Sequence, residues 1–371
     1  MNRLQRYDQN VFSIADLQRE GTKKLSKMVG EYYNEGAMDL LSMNDNVAAF
    51  DRVRLRPRVC IDVSQVDMST ECFGAKVKMP LGFSPAAMHG MAHDDAELGT
   101  SRAAAKAGCN MVLSTWSNHS IADVVNAGDG YGNAYGQQLS MVECWDTNMH
   151  MIRNAEKAGC AALVLTVDCA YLGRRLNEYR NDFTLPEHLT FPNLPPGINP
   201  YNFVQSDPRT AYDRAFTWDK VEKIVKSTSM QVYLKGILTA EDALLAAESG
   251  VHGILVSNHG GRQLDGAIST FDALEDIVAA VKGRIQIHFD GGIRRGSDIF
   301  KALAMGADYC WVGRIPVWGL AYDGENGVSL ALKLLYDELL ITMALCGCSK
   351  LSDIRRSHLA RLRGDGTFAK L

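Results

Sequence analysis

The sequence lacks several features that mark large functional classes of protein. Its 371 residues carry a formal net charge of −4, so a basic surface for nucleic acid or anionic lipid is not indicated. No apolar run approaches the length of a membrane span, and the charged N-terminal stretch MNRLQRYDQN has no signal-peptide core. We therefore expect neither a secretory leader nor a membrane anchor.

Recognisable cysteine frameworks and metal motifs are also missing. The nine cysteines are odd in number and scattered from Cys60 to Cys348, which argues against a disulfide framework and for a reducing compartment. The pair Cys346-x-Cys348 lacks the companions of a zinc site. His89 and His93 have ligand-like spacing, but no carboxylate completes a known motif. We predict no metal site.

The sequence does contain a regular alternation of strand-like and helix-like segments. Eight short, mostly continuous apolar runs are typical of strands buried on both faces, and helix-like segments such as 96–108, 239–250 and 296–308 separate them. This pattern predicts an α/β fold, a (β/α)₈ TIM barrel spanning 1–371 as one domain. The runs are PLGFSP (80–85), NMVLST (110–115), NAYGQQL (133–139), AALVLTV (161–167), QVYLKG (231–236), GILVSN (253–258), IQIHFDG (285–291) and DYCWVG (308–313).

Two segments do not follow this alternation of strands and helices. Residues 1–75 read as helical and then irregular, and we expect them to cover one end of the barrel. Residues 180–218 contain six prolines and follow the fourth strand, so they would lie over the C-terminal face. A lid and partial disorder are equally compatible with this composition.

Polar residues collect where the predicted strands end. For a single residue, a loop-capping role is the simpler interpretation, but groups on seven strand ends together indicate a site at the C-terminal face. In chain order they are Ser114, Gln138, Thr166, Asp168, Lys235, Ser257, His259, Asp290, Gly313 and Arg314.

The last two strand ends suggest a phosphorylated cofactor. DGGIRRG (290–296) and VGR (312–314) place glycines and arginines after strands seven and eight, the usual phosphate site of this barrel. Lys235 could stabilise the charge that an electron-accepting ring acquires on reduction. No GxGxxG follows the first strand, so a Rossmann nicotinamide site is not indicated. These observations point to FMN.

Four longer motifs make the sequence resemble a known family. They are LTVDCAYLGRR, SNHGGRQLDG, DGGIRRGSDIFKALAMGAD and LLITMALCGC, within a resemblance that extends from KMVGEYY (27–33) to SDIRRSHLA (352–360). The chain resembles the FMN-dependent 2-hydroxy acid oxidases and dehydrogenases, which include glycolate oxidase, lactate oxidase and mandelate dehydrogenase. The resemblance implies an FMN-binding (β/α)₈ barrel and a homo-oligomer, a tetramer or an octamer.

The resemblance also implies a role for individual residues. His259 matches the catalytic base and Asp168 its carboxylate partner, while Arg262 and Arg175 match arginines that bind the substrate carboxylate. Tyr32 matches a tyrosine that hydrogen-bonds the substrate. The implied flavin contacts are Pro85, Ala86, Ala87, Ser114, Gln138, Thr166, Lys235 and Ser257, and the implied phosphate contacts are Asp290, Gly291, Gly292, Arg294, Gly313 and Arg314.

Elementary chemistry supports these roles independently. A 2-hydroxy acid is anionic at neutral pH, and a guanidinium fixes a carboxylate in one orientation better than a lysine does. Oxidation at the carbon that carries the hydroxyl group needs a base within hydrogen-bond reach, and the pKa of histidine suits that task at neutral pH. Transfer of the electrons as hydride and transfer through a carbanion both remain open. His259 and Arg262 lie on one short loop, so both can face one small molecule.

The match fails at one position, Ser140. Most members known to us have a tyrosine two residues after the strand-three glutamine, where it donates a hydrogen bond to the substrate, whereas this chain reads QQLS. Serine is much shorter. Either the pocket takes a bulkier acid, or another group supplies the donor. A tailoring oxidase acting on a larger 2-hydroxy acid is therefore a serious alternative to a glycolate oxidase.

The expected reaction is FMN-dependent oxidation of an (S)-2-hydroxy acid to the 2-oxo acid, with O₂ as acceptor and hydrogen peroxide as product. Three alternatives remain open: a dehydrogenase with another acceptor, an FMN barrel with different chemistry, and an inactive flavin-binding protein. Arg175, Arg262 and His259 speak against the last two, because those proteins need neither two carboxylate-binding arginines nor an intact base.

The last three residues, Ala369-Lys370-Leu371, are a conservative variant of the S-K-L peroxisomal address. The tail RLRGDGTFAKL has little apolar material, so we expect it to be exposed to a receptor. Chance is the alternative explanation of such an ending. For a eukaryotic source this predicts a peroxisomal protein, and for a bacterial source a cytoplasmic one.

Overall fold

A computed structural model describes residues 5–198 and 207–371. Residues 1–4 of the predicted N-terminal cover and 199–206 of the predicted lid lie outside the described residues. The elements before the barrel are α1 (Ile14–Thr22), α2 (Lys27–Asn34), α3 (Leu41–Asp51), β1 (Val53–Leu55), β2 (Thr70–Cys72) and β3 (Ala75–Val77).

The predicted barrel is confirmed. Eight parallel strands pair in chain order and close when the last pairs with the first. Each lies within or beside a predicted run, because continuous apolar segments of this length bury both faces in a parallel sheet. The strands are β4 (Leu81–Phe83), β5 (Met111–Leu113), β6 (Tyr135–Ser140), β7 (Ala162–Thr166), β8 (Gln231–Ile237), β9 (Gly253–Val256), β10 (Gln286–Asp290) and β11 (Tyr309–Val312).

Helices surround the barrel, and their ends follow the expected signals. The N-cap Thr239 accepts a hydrogen bond from the backbone N–H of Asp242 at 3.2 Å, and Gly306 ends its helix with φ 114°. The helices are α4 (Ala96–Ala107), α5 (Ile121–Ala127), α6 (Trp145–Lys157), α7 (Leu176–Arg180), α8 (Trp218–Val225), α9 (Ala240–Glu248), α10 (Thr270–Val281), α11 (Gly296–Met305) and α12 (Arg314–Leu345), which is interrupted at Asp323 and Gly324.

The strand register brings chemically important side chains together. Ser140 of β6 pairs with Thr166 of β7, which in turn pairs with Lys235 of β8. Gln138 donates from Nε2 to Ser140 Oγ and to Thr166 Oγ1, each at 3.0 Å. The barrel therefore sets these four side chains side by side near its C-terminal face.

The segment before the barrel contacts both of its ends, whereas the sequence predicted a cover over one end. The α3 residue Asn46 exchanges two amide hydrogen bonds with Asn258, at 2.7 and 2.8 Å, on the C-terminal face. At the other end, Phe73 in the β2–β3 hairpin stacks on Trp311, with centroids 5.3 Å apart, and lies edge-on to Tyr233. The buried ring of Phe73 thus fills the bottom of the barrel.

The lid segment, residues 180–218, meets the C-terminal face on both sides of its undescribed part. Phe191 and Leu194 are buried in the core. Asn193 accepts a hydrogen bond from the N–H of Ile121 at 2.9 Å and donates to Ser117 Oγ at 2.7 Å. These contacts fix the position of the first part of the segment, and its opening and closing stay a prediction.

The C-terminal residues lie in a small antiparallel sheet in which β12 (Leu359–Leu362) pairs with β1 and with β13 (Phe368–Lys370). Ala369 pairs with Arg361, and the N–H of Leu371 donates to Leu359 O at 3.2 Å. The expected free tail is therefore an edge strand. Within the described ranges, no helix combines the length and the hydrophobicity needed to cross a bilayer.

Candidate active site

A cavity of about 620 Å³ lies at the carboxyl ends of the barrel strands. Strand ends, α2 and described parts of the lid segment form its walls. Ser257 and Asp168 do not line it: Ser257 is buried beneath the loop that follows β9, and Asp168 lies behind His259. The other predicted site residues line the cavity, namely Tyr32, Pro85, Ala86, Ala87, Ser114, Gln138, Ser140, Thr166, Arg175, Lys235, His259, Arg262, Asp290, Gly291, Gly292, Arg294, Gly313 and Arg314.

The glycine-rich loop after β9 turns so that its imidazole and guanidinium face the cavity. His259 itself has φ 59°, a backbone conformation that is rare and costly for a residue with a side chain. Ser257 stabilises it by accepting a hydrogen bond from the His259 N–H at 3.1 Å. At Gly261, with φ 76°, a Cβ would lie 2.5 Å from the backbone of Met43, so only glycine lets α3 approach.

His259 is paired with Asp168. The distances from His259 Nδ1 to the two carboxylate oxygens are 3.1 and 3.3 Å. This contact assigns the proton to Nδ1 and leaves the lone pair on Nε2, the tautomer that a base needs. Burial lowers the pKa of His259, and the charge of Lys235 lowers it further, while Asp168 opposes both. His259 is therefore a neutral base at neutral pH.

Asp168 remains ionised in this pair. Burial alone would raise the pKa of its carboxyl, but the attraction of His259 and the hydrogen bond between them lower that pKa to about 2. A carboxylate beside Nδ1 stabilises the imidazolium that forms when the histidine takes up a proton. The pair can thus accept one proton from a bound substrate and hold it.

Two partly buried arginines share one carboxylate. Glu178 Oε1 lies 3.1 Å from a guanidinium nitrogen of Arg175 and 3.4 Å from one of Arg262. Burial lowers the pKa of Arg262, and the neighbouring charge of Arg175 lowers it further. Two cations with one shared anion leave a net positive charge at the cavity, so the site favours an anionic ligand with a planar carboxylate.

Aromatic rings cover these cations. The Arg262 guanidinium lies 4.6 Å from the centre of the Tyr32 ring, and that ring stacks on Phe183 of the lid segment, with centroids 4.6 Å apart. Arg262 also donates to the carbonyl of Tyr32. The α2 helix and the lid segment are therefore joined at the carboxylate-binding part of the cavity.

Lys235 and Asp290 have polar atoms that need a ligand. Lys235 is 3% exposed, and no described residue accepts a hydrogen bond from its Nζ. Asp290 Oδ2 accepts from Ser84 Oγ at 2.9 Å, but among the described residues its buried Oδ1 has no donor. Buried polar atoms are normally satisfied, so both atoms fit a polar cofactor such as FMN.

The opposite part of the cavity is lined by two arginines. Arg294 and Arg314 form no ion pair with any described carboxylate, and burial lowers the pKa of Arg294 to about 10. Arg314 donates to the carbonyls of Tyr33 and Glu35, each at 2.8 Å, which ties α2 to the barrel. At Gly292, φ is 75° and a Cβ would lie 1.9 Å from Asn46 O. Glycine at position 292 therefore lets α3 approach, while the two cations beside it suit a phosphate.

The histidines with ligand-like spacing have other partners. His89 Nδ1 lies 3.0 Å from Thr100 Oγ1, and His93 Nδ1 accepts from the N–H of Asp95. A different group of possible metal ligands contains Asp168, Cys169 and His259, whose donor atoms lie within 4.8 Å of one another. In this group Nδ1 already faces the carboxylate, so we treat it as a hydrogen-bonded set.

Several cavity residues were missed by the sequence analysis. Glu178 follows the motif that contains Arg175, and its i, i+3 spacing on a helix was a usable signal. Trp116 follows Ser114 by two residues, at a strand end that was already identified. No local pattern marked the lid residues Phe183, Leu185, Phe191 and Tyr212, or the thiol of Cys169.

Comparison with known proteins gives a consistent result. A family model described as "FMN-dependent dehydrogenase" matches residues 21–361. The chain is 45% identical over 361 residues to the oxidase FUB9 of Fusarium oxysporum, an alignment that covers 96% of this chain and 93% of that protein. It is 42% identical over 356 residues to glycolate oxidase 1 of Oryza sativa subsp. indica, covering 94% and 95%.

Solved structures give the same result. The chain aligns with mandelate oxidase in complex with (S)-4-hydroxymandelic acid at 36% identity and a TM-score of 0.88, over 95% of this chain and 99% of the other. A mandelate oxidase variant with (S)-mandelic acid aligns at 36% identity and a TM-score of 0.84, over 93% and 97%.

Proposed function

The chain belongs to the family of FMN-dependent dehydrogenases, and we propose that it oxidises an (S)-2-hydroxy acid larger than glycolate to the 2-oxo acid, with O₂ as electron acceptor and hydrogen peroxide as product. FMN-dependent 2-hydroxy acid oxidation follows from the family and its cofactor. The observation that carries the proposal is the convergence of His259, Arg175 and Arg262 on one cavity beside Lys235.

The residues have distinct tasks in this reaction. Arg262 and Arg175 bind the substrate carboxylate and orient the carbon that carries the hydroxyl group. His259 Nε2 takes up the hydroxyl proton, and Asp168 stabilises the resulting imidazolium across the 3.1 Å contact. FMN, when bound, supplies the two-electron acceptor, and the positive charge of Lys235 favours reduction. Phe183 and Leu185 exclude water from the site.

The cavity supports a substrate with an apolar side chain. Trp116, Leu185 and Phe191 line it, and Trp116 packs edge-on to Phe191 with ring centroids 5.4 Å apart. Such a wall gains free energy by burying a hydrocarbon or aromatic group, which glycolate lacks. The similarity to mandelate oxidase supports the same choice. A tailoring oxidase, with which the similarity to the oxidase FUB9 agrees, is included in it.

The support for O₂ as electron acceptor comes from the relatives and not from the cavity. The relatives named above are oxidases, whereas the residues around the cavity serve oxidases and dehydrogenases alike. The second candidate is therefore a dehydrogenase with the same substrate-binding residues and a different acceptor.

One experiment separates these possibilities. Holoenzyme is mixed with (S)-2-hydroxy acids under argon, and the flavin absorbance is followed before and after air is admitted. Bleaching, rapid recolouring and peroxide are the expected results. Bleaching without recolouring over many minutes favours the dehydrogenase, and no bleaching by any acid favours an inactive flavin-binding protein. His259→Ala should keep FMN bound and lose turnover, and retained turnover would contradict its assignment as base.

We also infer assembly into a homo-oligomer. Met38, Leu41, Leu264 and Ile268 are 44%, 61%, 75% and 50% exposed. Their two segments are held together because the Ser42 N–H donates to the Asp265 carboxylate and the Ser42 hydroxyl donates to Leu264 O. Clustered exposed apolar side chains are typical of an interface. Light scattering of the holoenzyme at several concentrations would measure the mass.

For a eukaryotic source we propose a peroxisomal location, and for a bacterial source a cytoplasmic one. The support is the ending Ala369-Lys370-Leu371 together with the expected peroxide product. Because these residues pair with β12, a receptor that reads them must first release a terminal edge strand. A short edge strand at a chain terminus costs little to open.

A further inference from the structure

The cavity wall contains a phenol group that the reaction described above does not use. Tyr212, in the returning part of the lid segment, lines the cavity, and its hydroxyl oxygen accepts a hydrogen bond from Trp116 Nε1 at 3.0 Å. An indole N–H can only donate, so the phenol keeps its own hydrogen. No described residue accepts that hydrogen. Tyr212 therefore offers an unused O–H donor to whatever occupies the cavity.

Backbone pairing fixes the position of Tyr212. It forms an antiparallel bridge with Val142, two residues beyond the end of β6. On either side of it, Glu143 N–H donates to Ala211 O at 3.0 Å and Asp213 N–H donates to Met141 O at 2.9 Å. This short ladder continues the edge of β6, so the phenol belongs to a fixed wall rather than to a loose loop.

The same ladder places Tyr212 next to the position where the sequence departs from its relatives. Ser140 is the last residue of β6, and its Oγ already accepts a hydrogen bond from Gln138. A serine side chain is too short to reach far into the cavity. The sequence analysis left two explanations of Ser140: the pocket takes a bulkier acid, or another residue supplies the hydrogen-bond donor. Tyr212 is such a donor, and it comes from the lid segment.

The protonation state of Tyr212 determines what its hydroxyl can bind. Burial raises the pKa of the Tyr212 phenol, so it stays protonated and able to donate at ordinary pH. Cys169, Arg175 and Tyr32 are the ionisable neighbours whose charges act on it, and Trp116 is the neutral group bonded to it. Tyr212 and Arg175 line the same cavity, and a carboxylate is the strongest hydrogen-bond acceptor that an anionic ligand held there could present to the phenol.

We propose that Tyr212 donates a hydrogen bond to the carboxylate of the bound 2-hydroxy acid, beside Arg175, and so takes the substrate-binding place that Ser140 leaves empty. This inference rests on the proposed function for the identity of the ligand. It makes Tyr212 a residue that determines affinity and specificity, with Trp116 orienting its hydroxyl. The ring also closes the cavity from the lid side, so the acids that fit depend on the lid segment.

The test compares Tyr212→Phe with wild-type holoenzyme in two assays. The first is a titration with phenylacetate, a carboxylate without a reacting hydroxyl, followed by the flavin absorbance. The second is anaerobic bleaching by (S)-mandelate over a range of concentrations. Phenylalanine keeps the ring and removes only the O–H. A hydrogen bond to a charged group corresponds to roughly a 10- to 100-fold change in affinity, so we expect that loss in both assays, with a smaller effect on the limiting rate.

Tyr179→Phe is the matched control. Tyr179 belongs to α7, is 66% exposed, does not line the cavity, and has the Arg174 guanidinium 5.5 Å above its ring. The control should bind phenylacetate as the wild type does. FMN content and melting temperature of both variants should match the wild type, which would exclude misfolding as the cause of any loss.

The outcomes separate this inference from the proposed function. Wild-type affinity for phenylacetate in Tyr212→Phe overturns the role of Tyr212, even if mandelate bleaches both proteins equally. No bleaching of the wild type by any 2-hydroxy acid contradicts the proposed function, and the phenylacetate titration then still decides whether Tyr212 binds a carboxylate. A wild type that binds no phenylacetate counts against the inference.

Discussion

Replacement of Asp168 by Asn tests the electrostatic reasoning about the His259 base. The substitution keeps the size of the side chain and a carbonyl oxygen that can accept from Nδ1, but it removes the negative charge. That charge lies 3.1 Å from Nδ1 in the present structure. Its loss leaves the imidazolium beside Lys235 and Arg175 without a compensating anion.

The magnitude follows from the geometry. Two unit charges about 4 Å apart interact by about 4 kcal/mol at an effective dielectric constant of 20. Part of this is retained by the hydrogen bond to Asn, so we expect a loss of roughly 2–4 kcal/mol in the step that protonates His259, or roughly 30- to 1000-fold in the bleaching rate.

The pH dependence of kcat/KM is an independent test, because the reasoning also predicts the direction in which its acid limb moves. Burial already lowers the pKa of His259 below its ordinary value of 6.5, so wild-type kcat/KM should rise with pH and reach half of its plateau below that value. Without Asp168, which raises the pKa of His259, that pKa falls further. The acid limb of Asp168→Asn should therefore move to lower pH while its plateau falls.

The assay is anaerobic stopped-flow bleaching with (S)-mandelate from pH 5 upward. Asp308→Asn is a suitable control, because Asp308 accepts from the N–H of Ile287 at 2.8 Å on the far side of the barrel. A bleaching rate within about threefold of the wild type, or an acid limb that moves to higher pH, would refute the reasoning.

Three further predictions follow from the site and the C-terminus. Glycolate should have a lower kcat/KM than lactate, mandelate and longer-chain acids, because it buries no apolar group; a clear preference for glycolate would contradict the size argument. Arg262→Lys should keep FMN bound but raise KM by roughly 10- to 100-fold, since lysine cannot pair with a carboxylate through two N–H groups; an unchanged KM would show that Arg175 suffices. In a eukaryotic source, a fluorescent protein fused ahead of residue 1 should give punctate signal that deletion of 369–371 disperses, and diffuse signal from the intact chain would refute the address.

Much of the barrel was predictable because its signals are local. Continuous apolar runs set the strands, and helix caps such as Thr239 and Gly306 lie at the ends that the sequence marked. In a barrel of parallel strands, all carboxyl ends share one face, so polar residues at those ends were expected to converge. The resemblance added the roles of His259 and Arg262, which share one short loop and therefore could be placed together without coordinates.

Other features depended on contacts between distant segments. The resemblance implied that Asp168 is the partner of His259 and that Ser257 contacts the flavin. Only the structure shows that Ser257 also supports His259, by accepting a hydrogen bond from its backbone N–H. The placement of Phe73 under the barrel and of Leu371 against Leu359 was likewise set by packing. Neither position has a periodic pattern that could have indicated it.

Tyr212 shows most clearly what the sequence determines and what only the tertiary structure decides. The sequence, through its resemblance to the family, indicated that Ser140 stands where most members known to us have a tyrosine. It could not reveal which other residue lies there, since the lid segment has neither apolar periodicity nor a motif. Only the tertiary structure, through the short ladder between 141–143 and 211–213, decided that a phenol from 72 residues further along the chain reaches the same wall. Local propensity determines the strands of a barrel, whereas long-range backbone pairing determines which loop side chains complete its site.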